Sequence, residues 1–438
     1  MGKINLNYSI TKALLLLVCM VTAQLSLAET LYLYKDCNDA PTGTQCYSTV
    51  AEIQNKLWGV IGFYPLLVTP TENVTINPGA SNRVVVVIGP GEFTGQLSCS
   101  AYDGTNQGYV SFRGHGAGTS TLTYGAGYFS STVTSSACGN LSFEDLSITN
   151  TGSGHYASPA FLWGQAIGNN SWMNVTLASE NSIAWQEDSN YSGGIHDDCR
   201  SVVTSVESSH RIFSSRLMGA KAVVVSGCGE VGIYGSDLVL TTNPGSGIYI
   251  ASEASQSVTA AYNDGVLNIY GSTLRADLSS GVPAGLSSVT GIYLGAIFGR
   301  GEVHMHGGIV NVVTASQSGI DSIGVNASDE NSIAHTLSTP FIVRSNANAQ
   351  SARLKGVGEV MSAQQWQAGT QAPEEGGAFG TFSSLDGQDM YVETDCNASG
   401  CSAGGADANK PHLMVYSEAC GNEASSPWFD TVTKQCRQ

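Results

Sequence analysis

The chain has 438 residues and is acidic, with 18 lysines and arginines against 35 aspartates and glutamates. The net charge of −17 argues against a nucleic-acid-binding protein, which needs a basic surface. Hydrophobic residues make up 42% of the chain, which argues against intrinsic disorder, and the 52 glycines follow no Gly-X-Y period, which excludes collagen. The composition favours an elongated, Gly-rich and mostly β protein.

The N-terminus has the three parts of a secretory signal peptide, which we predict to span residues 1–28. Lys3 and Lys12 supply the positive charge, residues 13–23 form an apolar segment too short to cross a bilayer, and Ser26-Leu27-Ala28 has small residues at its first and last positions for cleavage before Glu29. No later stretch reaches 18 consecutive apolar residues. We therefore expect a secreted protein (extracellular, periplasmic or on the cell surface) that does not span a membrane.

Residues 29–80 are predicted to form an N-terminal cap. Within them, Val50, Ile53 and Leu57 have helical spacing over residues 49–58. A stack of strands leaves an open end that must be covered, and this helix is suited to cover it.

Residues 81–358 contain a repeated unit, in which a short apolar strand, a small turn residue and a second short strand follow one another. The clearest copies begin at Ile212, Ile233, Ile269, Met305 and Thr336. One such unit cannot bury its own apolar face, so neighbouring units must stack. We predict an all-β fold, a parallel β-helix. A β-sandwich or a propeller is the alternative, but the unequal repeat lengths argue against propeller blades.

Residues 359–438 differ in composition and are predicted to form a Cys-rich C-terminal cap or appended module. Ten cysteines remain after removal of the signal peptide, and an even number in a secreted chain predicts disulfides. A metal site is not expected, because no Cys-x-x-Cys pair occurs. We expect a local loop closed by Cys37 and Cys46 and a separate C-terminal set, with the other pairings open; the candidates are Cys37, Cys46, Cys99, Cys138, Cys199, Cys228, Cys396, Cys401, Cys420 and Cys436.

Residues 83–93, 109–122 and 141–150, within the predicted β-helix, resemble the pectin methylesterases, a family of right-handed β-helix carbohydrate esterases with a pectin-lyase-like fold. These segments are similar to that family's early strands and Gly-rich turns, in the same order and with similar spacing. The resemblance extends to about residue 310. It implies that the β-helix predicted from the repeats is a right-handed single-stranded parallel β-helix, and it implies an esterase site.

The resemblance implies that Gln186 and Glu187 match the family's Gln-Asp pair, with Glu187 as the general acid/base and Asp188 beside it. Ala222 stands where the family has its nucleophilic aspartate, and Ala296 stands where it has the arginine that orients this aspartate. A methyl group cannot replace a carboxylate nucleophile. We therefore expect the family's covalent step to be lost, as in a pseudoenzyme.

Other residues are candidates for substrate binding. Arg300 could substitute for the missing arginine, and Trp185 and Tyr191 carry rings that could stack on a sugar. The negative charge would repel a free polyuronate, so a neutral or esterified polysaccharide, or a cell-surface glycan, is the expected partner. The protein would bind such a glycan or de-esterify it weakly, without a cofactor. The alternatives are a structural or adhesive cell-surface β-helix without catalysis and an enzyme with a different site in the acidic segment 187–200.

Overall fold

The structure is a computed structural model, and it describes most of the β-helix with short gaps. The residues described are 28–61, 68–69, 75–100, 108–125, 131–136, 138–152, 157–163, 169–179, 181–188, 191–192, 195–196, 208–227, 229–241, 255–262, 265–278, 286–295, 301–314, 320–327, 332–337, 341–345, 349–354 and a few short strands after residue 380. The predicted signal peptide lies outside them, apart from its last residue.

The chain begins with short elements around one helix: β1 (Glu29–Leu33), a 3₁₀ turn (Cys37–Asp39), β2 (Gln45–Tyr47), α1 (Val50–Leu57), β3 (Val60–Ile61) and β4 (Val68–Thr69). The first coils are formed by β5 (Val84–Ile88), β6 (Gly91–Thr94), β7 (Leu97–Ser100), β8 (Val110–Arg113), β9 (Ser120–Tyr124), β10 (Val133–Ser136), β11 (Ser142–Glu144), β12 (Ser147–Asn150), β13 (Ala160–Trp163), β14 (Ser171–Met173), β15 (Thr176–Ser179) and β16 (Ile183–Asp188).

A small antiparallel hairpin follows, formed by β17 (Tyr191–Ser192) and β18 (Ile195–His196). The later coils are formed by β19 (Ser208–Phe213), β20 (Arg216–Gly219), β21 (Lys221–Ser226), β22 (Gly229–Tyr234), β23 (Asp237–Leu240), β24 (Ser255–Tyr262), β25 (Val266–Tyr270), β26 (Thr273–Asp277), β27 (Ser288–Gly295), β28 (Glu302–His306), β29 (Ile309–Thr314), β30 (Asp321–Ala327), β31 (Ile333–Leu337), β32 (Phe341–Ser345) and β33 (Ala349–Leu354). The C-terminal strands are β34 (Thr381–Phe382), β35 (Val392–Glu393), β36 (Cys396–Asn397), β37 (Gly400–Cys401), β38 (Met414–Tyr416), β39 (Trp428–Asp430) and β40 (Gln435–Arg437).

Three long parallel sheets run along the molecule, and each coil contributes one strand to each sheet. Sheet A has the order β2-β1-β5-β8-β11-β14-β19-β22-β25-β28-β31, sheet B runs from β7 to β33, and sheet C runs from β6 to β35. Successive coils are in register, so that Phe112, Phe143 and Trp172 follow one another in sheet A. The arrangement confirms the predicted right-handed parallel β-helix.

The interior is filled by alternate side chains of each strand. In sheet A, the rings of Phe112 and Phe143 stack at 5.0 Å, and Phe143 stacks on Trp172 at 5.9 Å. The next coils continue the same column with Ile212 and Ile233, which are fully buried. Because each residue packs on its equivalent in the next coil, the apolar core is continuous along the axis.

The corner between sheets A and C has the same backbone in successive coils. One residue at this corner has a positive φ in six coils, namely Asp145, Asn174, Ser214, Gly235, Gly271 and Gly307. Glycine, asparagine and aspartate tolerate this left-handed conformation best. In three of these coils a serine follows directly, and the Ser215 and Ser236 amides donate to the hydroxyls of Ser236 and Ser272, both at 3.1 Å. The prediction that small residues occupy the corners is confirmed.

Helix α1 covers the N-terminal end of sheet B. Thr49 caps it through a reciprocal pair of hydrogen bonds with Glu52, and its apolar side is buried. The buried Gln54 amide donates to the Ser98 carbonyl at 2.9 Å and accepts from the Ser98 amide at 2.8 Å. Since Ser98 lies in β7, the first strand of sheet B, the Gln54 side chain occupies the position of a missing neighbouring strand. The predicted capping helix is confirmed.

Two disulfides join the described cysteines. Cys37 pairs with Cys46, as predicted, and Cys99 pairs with Cys138 across the first coils of sheet B. Of the other candidates, Cys199, Cys228 and Cys420 lie outside the described residues. Cys396 and Cys401 face each other in the β36–β37 hairpin, and Cys436 lies in β40. No helix in the described part of the chain is long and apolar enough to span a membrane.

Candidate functional site

The outer face of sheet B carries polar residues at the end of β16. Gln186 and Asp188 lie on this outer face, and Trp185 and Glu187 point into the coil, because residues alternate along a strand. In register, Gln186 follows Phe161 and precedes Val224, and Asp188 lies between Trp163 and Ser226. We call Phe161, Trp163, Gln186, Asp188 and Ser226 the Asp188 strip.

Asp188 is the titratable group of this strip. It is partly exposed, and burial together with the nearby negative charge of Glu187 raises the pKa of its carboxyl to about 7. Within the described part of the chain, Oδ1 of Asp188 and Oε1 of Gln186 accept no hydrogen bond. Gln186 is only 6% exposed. Both oxygens are buried and have no hydrogen-bond partner among the described residues, and a carboxyl with a pKa near 7 can also donate a proton at neutral pH.

Glu187 lies inside the β-helix rather than on the outer face. Its side chain is fully buried, and its Oε1 lies 3.4 Å from Nε2 of His210, which is also fully buried. The amide of Asn170 donates to Nδ1 of His210 at 3.3 Å, which leaves the ring proton on Nε2, facing the carboxylate. The absence of a side chain at Gly229 leaves room for the Glu187 carboxyl group, since a Cβ there would lie 2.1 Å from it.

These placements change the roles that the resemblance implies. Glu187 has no exposed surface, so an acid/base role on a polysaccharide does not fit its position. Trp185 is also fully buried, with its ring 5.6 Å from those of Trp172 and His210, and this placement does not support stacking on a sugar. Ala222 belongs to the core and not to the outer face.

Two expected positions and part of the acidic segment lie outside what the structure describes. Ala296 and Arg300 are not among the described residues, and neither are residues 197–200 at the end of the acidic segment. Tyr191 is described only as a backbone position that pairs with His196 in the β17–β18 hairpin. Their roles stay predictions.

A second polar cluster on the outer face of sheet B is centred on Lys221. Its Nζ donates to Oγ of Ser257 at 3.1 Å and to the Tyr262 hydroxyl at 3.3 Å, and all three residues are at least 97% buried. The same Nζ lies 6.0 Å from the ring of Tyr293. Sequence reasoning missed this cluster, although a lysine at the start of an otherwise apolar strand was the available signal.

The outer face of sheet A carries a column of aromatic rings. Phe213, Tyr234, Tyr270 and His306 stack in successive coils at 4.8–5.2 Å, with interplanar angles of 5–17°. Tyr270 is 36% exposed. The column follows from the Ile-Tyr-Gly-Ser repeat, because a tyrosine at one position of a repeated coil stacks on its equivalent in the next coil.

No protein-family model matches the chain, and no curated protein sequence matches it. Among solved structures, Escherichia coli YbhC is similar with a TM-score of 0.37 and 10% identity, covering 77% of this chain and 81% of that chain. Two structures of the catalytic domain of a GH87 alpha-1,3-glucanase in complex with nigerose have TM-scores of 0.27 and 0.20 at 15% and 14% identity, covering 77% of this chain and 64% of the glucanase chains. At these scores the similarities identify neither a site nor a substrate in this chain.

Proposed function

We propose that the protein is a secreted β-helix that binds a neutral or esterified polysaccharide at the Asp188 strip. One observation carries the proposal: Trp163, Asp188 and Ser226 are adjacent in register on one outer face. An indole ring, a carboxyl group and a hydroxyl group together supply an apolar surface and hydrogen-bonding groups, which is the combination that a sugar ring needs.

The charge of the strip favours an uncharged ligand. A pKa of about 7 keeps much of the Asp188 carboxyl neutral in weakly acidic and neutral solution, so that it can donate a hydrogen bond as well as accept one. A free polyuronate would meet the excess negative charge of the whole chain, which is −17. Esterification removes the repulsion, and we therefore expect binding to increase with the degree of esterification.

Weak de-esterification is part of the same proposal. With Glu187 inside the coil, the acid/base role that the resemblance implies would pass to Asp188, whose pKa lies near neutral pH. The resembling family's nucleophile position remains an alanine, Ala222, so the covalent step of that family has no carboxylate to carry it.

Isothermal titration calorimetry with oligogalacturonides of high and low methyl esterification tests the proposal. We expect binding of the esterified oligomer to weaken about 10-fold in Trp163→Ala and several-fold in Asp188→Asn, since an aromatic stacking contact contributes about 0.5–1.5 kcal/mol. Tyr270→Ala on sheet A is the matched control and should bind as the unmodified chain does. Equal binding by Trp163→Ala, or tighter binding of the de-esterified oligomer, would contradict the proposal.

Burial on the same face favours a second candidate, a structural or adhesive β-helix. Val224, Tyr262 and Tyr293 lie on the outer face of sheet B, yet they are 2–8% exposed. A face covered in this way leaves a long polymer little room beyond the strip. If no oligosaccharide binds in the calorimeter while the protein adheres to cells or cell-wall particles, this second candidate replaces the first.

A further inference from the structure

We propose that Tyr234 and Tyr270 form an oxidative carbon–carbon cross-link, dityrosine, between neighbouring coils of the β-helix. Both residues lie on the outer face of sheet A, so the cross-link does not depend on glycan binding at the Asp188 strip. Tyr234 ends β22, Tyr270 ends β25, and the two residues are paired in register. Their rings are parallel, with centroids 5.0 Å apart and an interplanar angle of 5°. Equivalent ring carbons therefore lie close together, as the coupling of two phenols requires.

The aromatic column limits the reaction to this pair. Phe213 stacks on the other side of Tyr234 at 4.8 Å, and His306 stacks on the other side of Tyr270 at 5.2 Å. Neither a phenylalanine nor a histidine ring has a phenolic hydroxyl, so neither forms the phenoxyl radical from which coupling starts. Within the column each tyrosine thus has the other as its phenolic neighbour, and one product is expected.

The Tyr234 ring is held in place, and the Tyr270 ring reaches solvent. The Tyr234 ring lies over Gly232, where a Cβ would come within 2.8 Å of the Tyr234 hydroxyl and ring. Tyr270 is 36% exposed, so an oxidant can reach it, and Tyr234 is partly buried beside it. Burial, and after it the nearby Tyr234 hydroxyl and Glu230 carboxylate, raise the pKa of the Tyr270 hydroxyl. The influence of Tyr234 on this pKa indicates that the two hydroxyls are near each other.

The reaction needs a one-electron oxidant, which we take to be hydrogen peroxide acting through a haem peroxidase. Peroxide removes one hydrogen atom, an electron with a proton, from each phenolic hydroxyl and becomes two molecules of water. The unpaired electron of each phenoxyl radical is shared with the ring carbons next to the carbon that bears the oxygen, and two such carbons form a bond. The hydrogens on these carbons then move to the oxygens, which restores both phenols. Two tyrosines and peroxide become one dityrosine and two water molecules.

The cross-link would add a covalent bond in the middle of the β-helix. The disulfides between described cysteines, Cys37–Cys46 and Cys99–Cys138, both lie near the N-terminal end. β25 follows β22 in sheet A, and the chain between them forms one coil. Closing this coil with a covalent bond restricts the unfolded chain, as a disulfide does. We therefore expect the linked protein to unfold at a higher urea concentration than the unlinked protein.

Treatment of the full mature chain with peroxide and peroxidase at micromolar protein concentration, followed by mass spectrometry, tests the proposal. Trypsin leaves both tyrosines in one peptide, because no lysine or arginine lies between Lys221 and Arg275, whereas cleavage after Glu253 separates them. We expect two joined peptides, lighter than their sum by two hydrogen atoms. Their yield should be at least about 10-fold above that of any other pair within the chain, since fixed neighbours react as if at very high concentration.

Tyr234→Phe and Tyr270→Phe each keep the stacked ring and should abolish the link. Tyr34→Phe is the matched control and should leave the link unchanged. Tyr34 is also in ring contact with a tyrosine, Tyr32, but at 6.2 Å and with the ring planes tilted by 47°. A parallel reaction with free tyrosine shows that the oxidant is active.

The proposal is overturned if free tyrosine couples while the link between Tyr234 and Tyr270 does not form, or if Tyr32 and Tyr34 are linked in equal yield. A link that persists in either phenylalanine variant at the column would also overturn it. Oligosaccharide binding in the calorimeter is measured on residues of sheet B, so that either proposal can fail without the other.

Discussion

Nε2 of His210 lies 3.4 Å from Oε1 of Glu187, and neither side chain has exposed surface. An imidazole and a carboxylate are thus held in the interior of a β-helix that is otherwise filled with aromatic and aliphatic side chains. A buried charge with no polar or charged group facing it is strongly unfavourable, whereas one that faces such a group is tolerated. The two residues are therefore expected to depend on each other for the stability of this coil.

Replacing one member of the pair tests this dependence. Glu187→Ala or His210→Ala should lower the free energy of unfolding by about 3–5 kcal/mol, because each removes the polar group that faces the other in the interior. The double replacement Glu187→Met with His210→Leu should recover much of the loss, since apolar groups of similar size need no partner. Urea unfolding followed by circular dichroism measures these values. Single replacements that cost less than 1 kcal/mol would show that the pair is not coupled.

Gly229 provides the second test of the same coil. A Cβ at this position would lie 2.1 Å from the Glu187 carboxyl group, so Gly229→Ala must push that group away from its place near His210. We expect a loss of about 1–3 kcal/mol in the free energy of unfolding. The same substitution in a Glu187→Ala background should cost much less, because the displaced group is absent. Equal costs in the two backgrounds would contradict the contact.

Gln54 tests the closure of sheet B. Gln54→Ala removes the two hydrogen bonds to the backbone of Ser98 and a third to the Gly59 carbonyl, which should cost about 2–4 kcal/mol of unfolding free energy. Lys56→Ala, in the same helix, serves as the control and should cost less than about 0.5 kcal/mol. Hydrogen exchange at the Ser98 amide should accelerate in the first variant and not in the second. An unchanged exchange rate would refute the capping role.

The raised pKa of Asp188 predicts a pH dependence of stability. The folded pKa of about 7 exceeds the ordinary value of 3.8, so the folded state holds more protons between these values. The contribution of Asp188 is therefore complete below pH 4 and is lost as the pH rises towards 7, by at most about 4 kcal/mol. Asp188→Asn should show a smaller decrease across this range in urea unfolding. Parallel curves for the two proteins would mean that the pKa is not raised.

The sequence was informative where a residue repeats at the same place in every coil. The corner residues from Ser214 to Gly271 and the helical spacing of Val50, Ile53 and Leu57 each reflect a local rule of backbone conformation or periodicity. Such rules act over a few residues, so they can be applied before any contact is known. The stacked coils and the capping helix were predictable on this basis, and the Cys37–Cys46 disulfide was predictable from the even number of cysteines and the short distance between these two in the chain.

The site was less predictable because the face of a strand decides what a side chain can do. Alternation along β21 fails at one point, where Ala222 and Val223 are consecutive and both belong to the core. If strict alternation is assumed from a family motif, residues near this point are assigned to the outer face when they lie in the core, or the reverse. Lys221 reaches Ser257 across strands that are 36 positions apart in the chain, and such a contact becomes visible only once the coils are in register.

The Gln54 cap also bears on how molecules of this kind meet one another. The first strand of a parallel sheet has backbone donors and acceptors that another chain's strand can extend, which is the route to end-to-end filaments. The Gln54 side chain forms hydrogen bonds with the amide and the carbonyl of Ser98. Gln54 lies in a helix, which offers no strand edge for a further chain to pair with. A strand of another chain therefore cannot pair with Ser98 unless it displaces Gln54, and the side chain that completes the fold also protects this end of sheet B from strand addition.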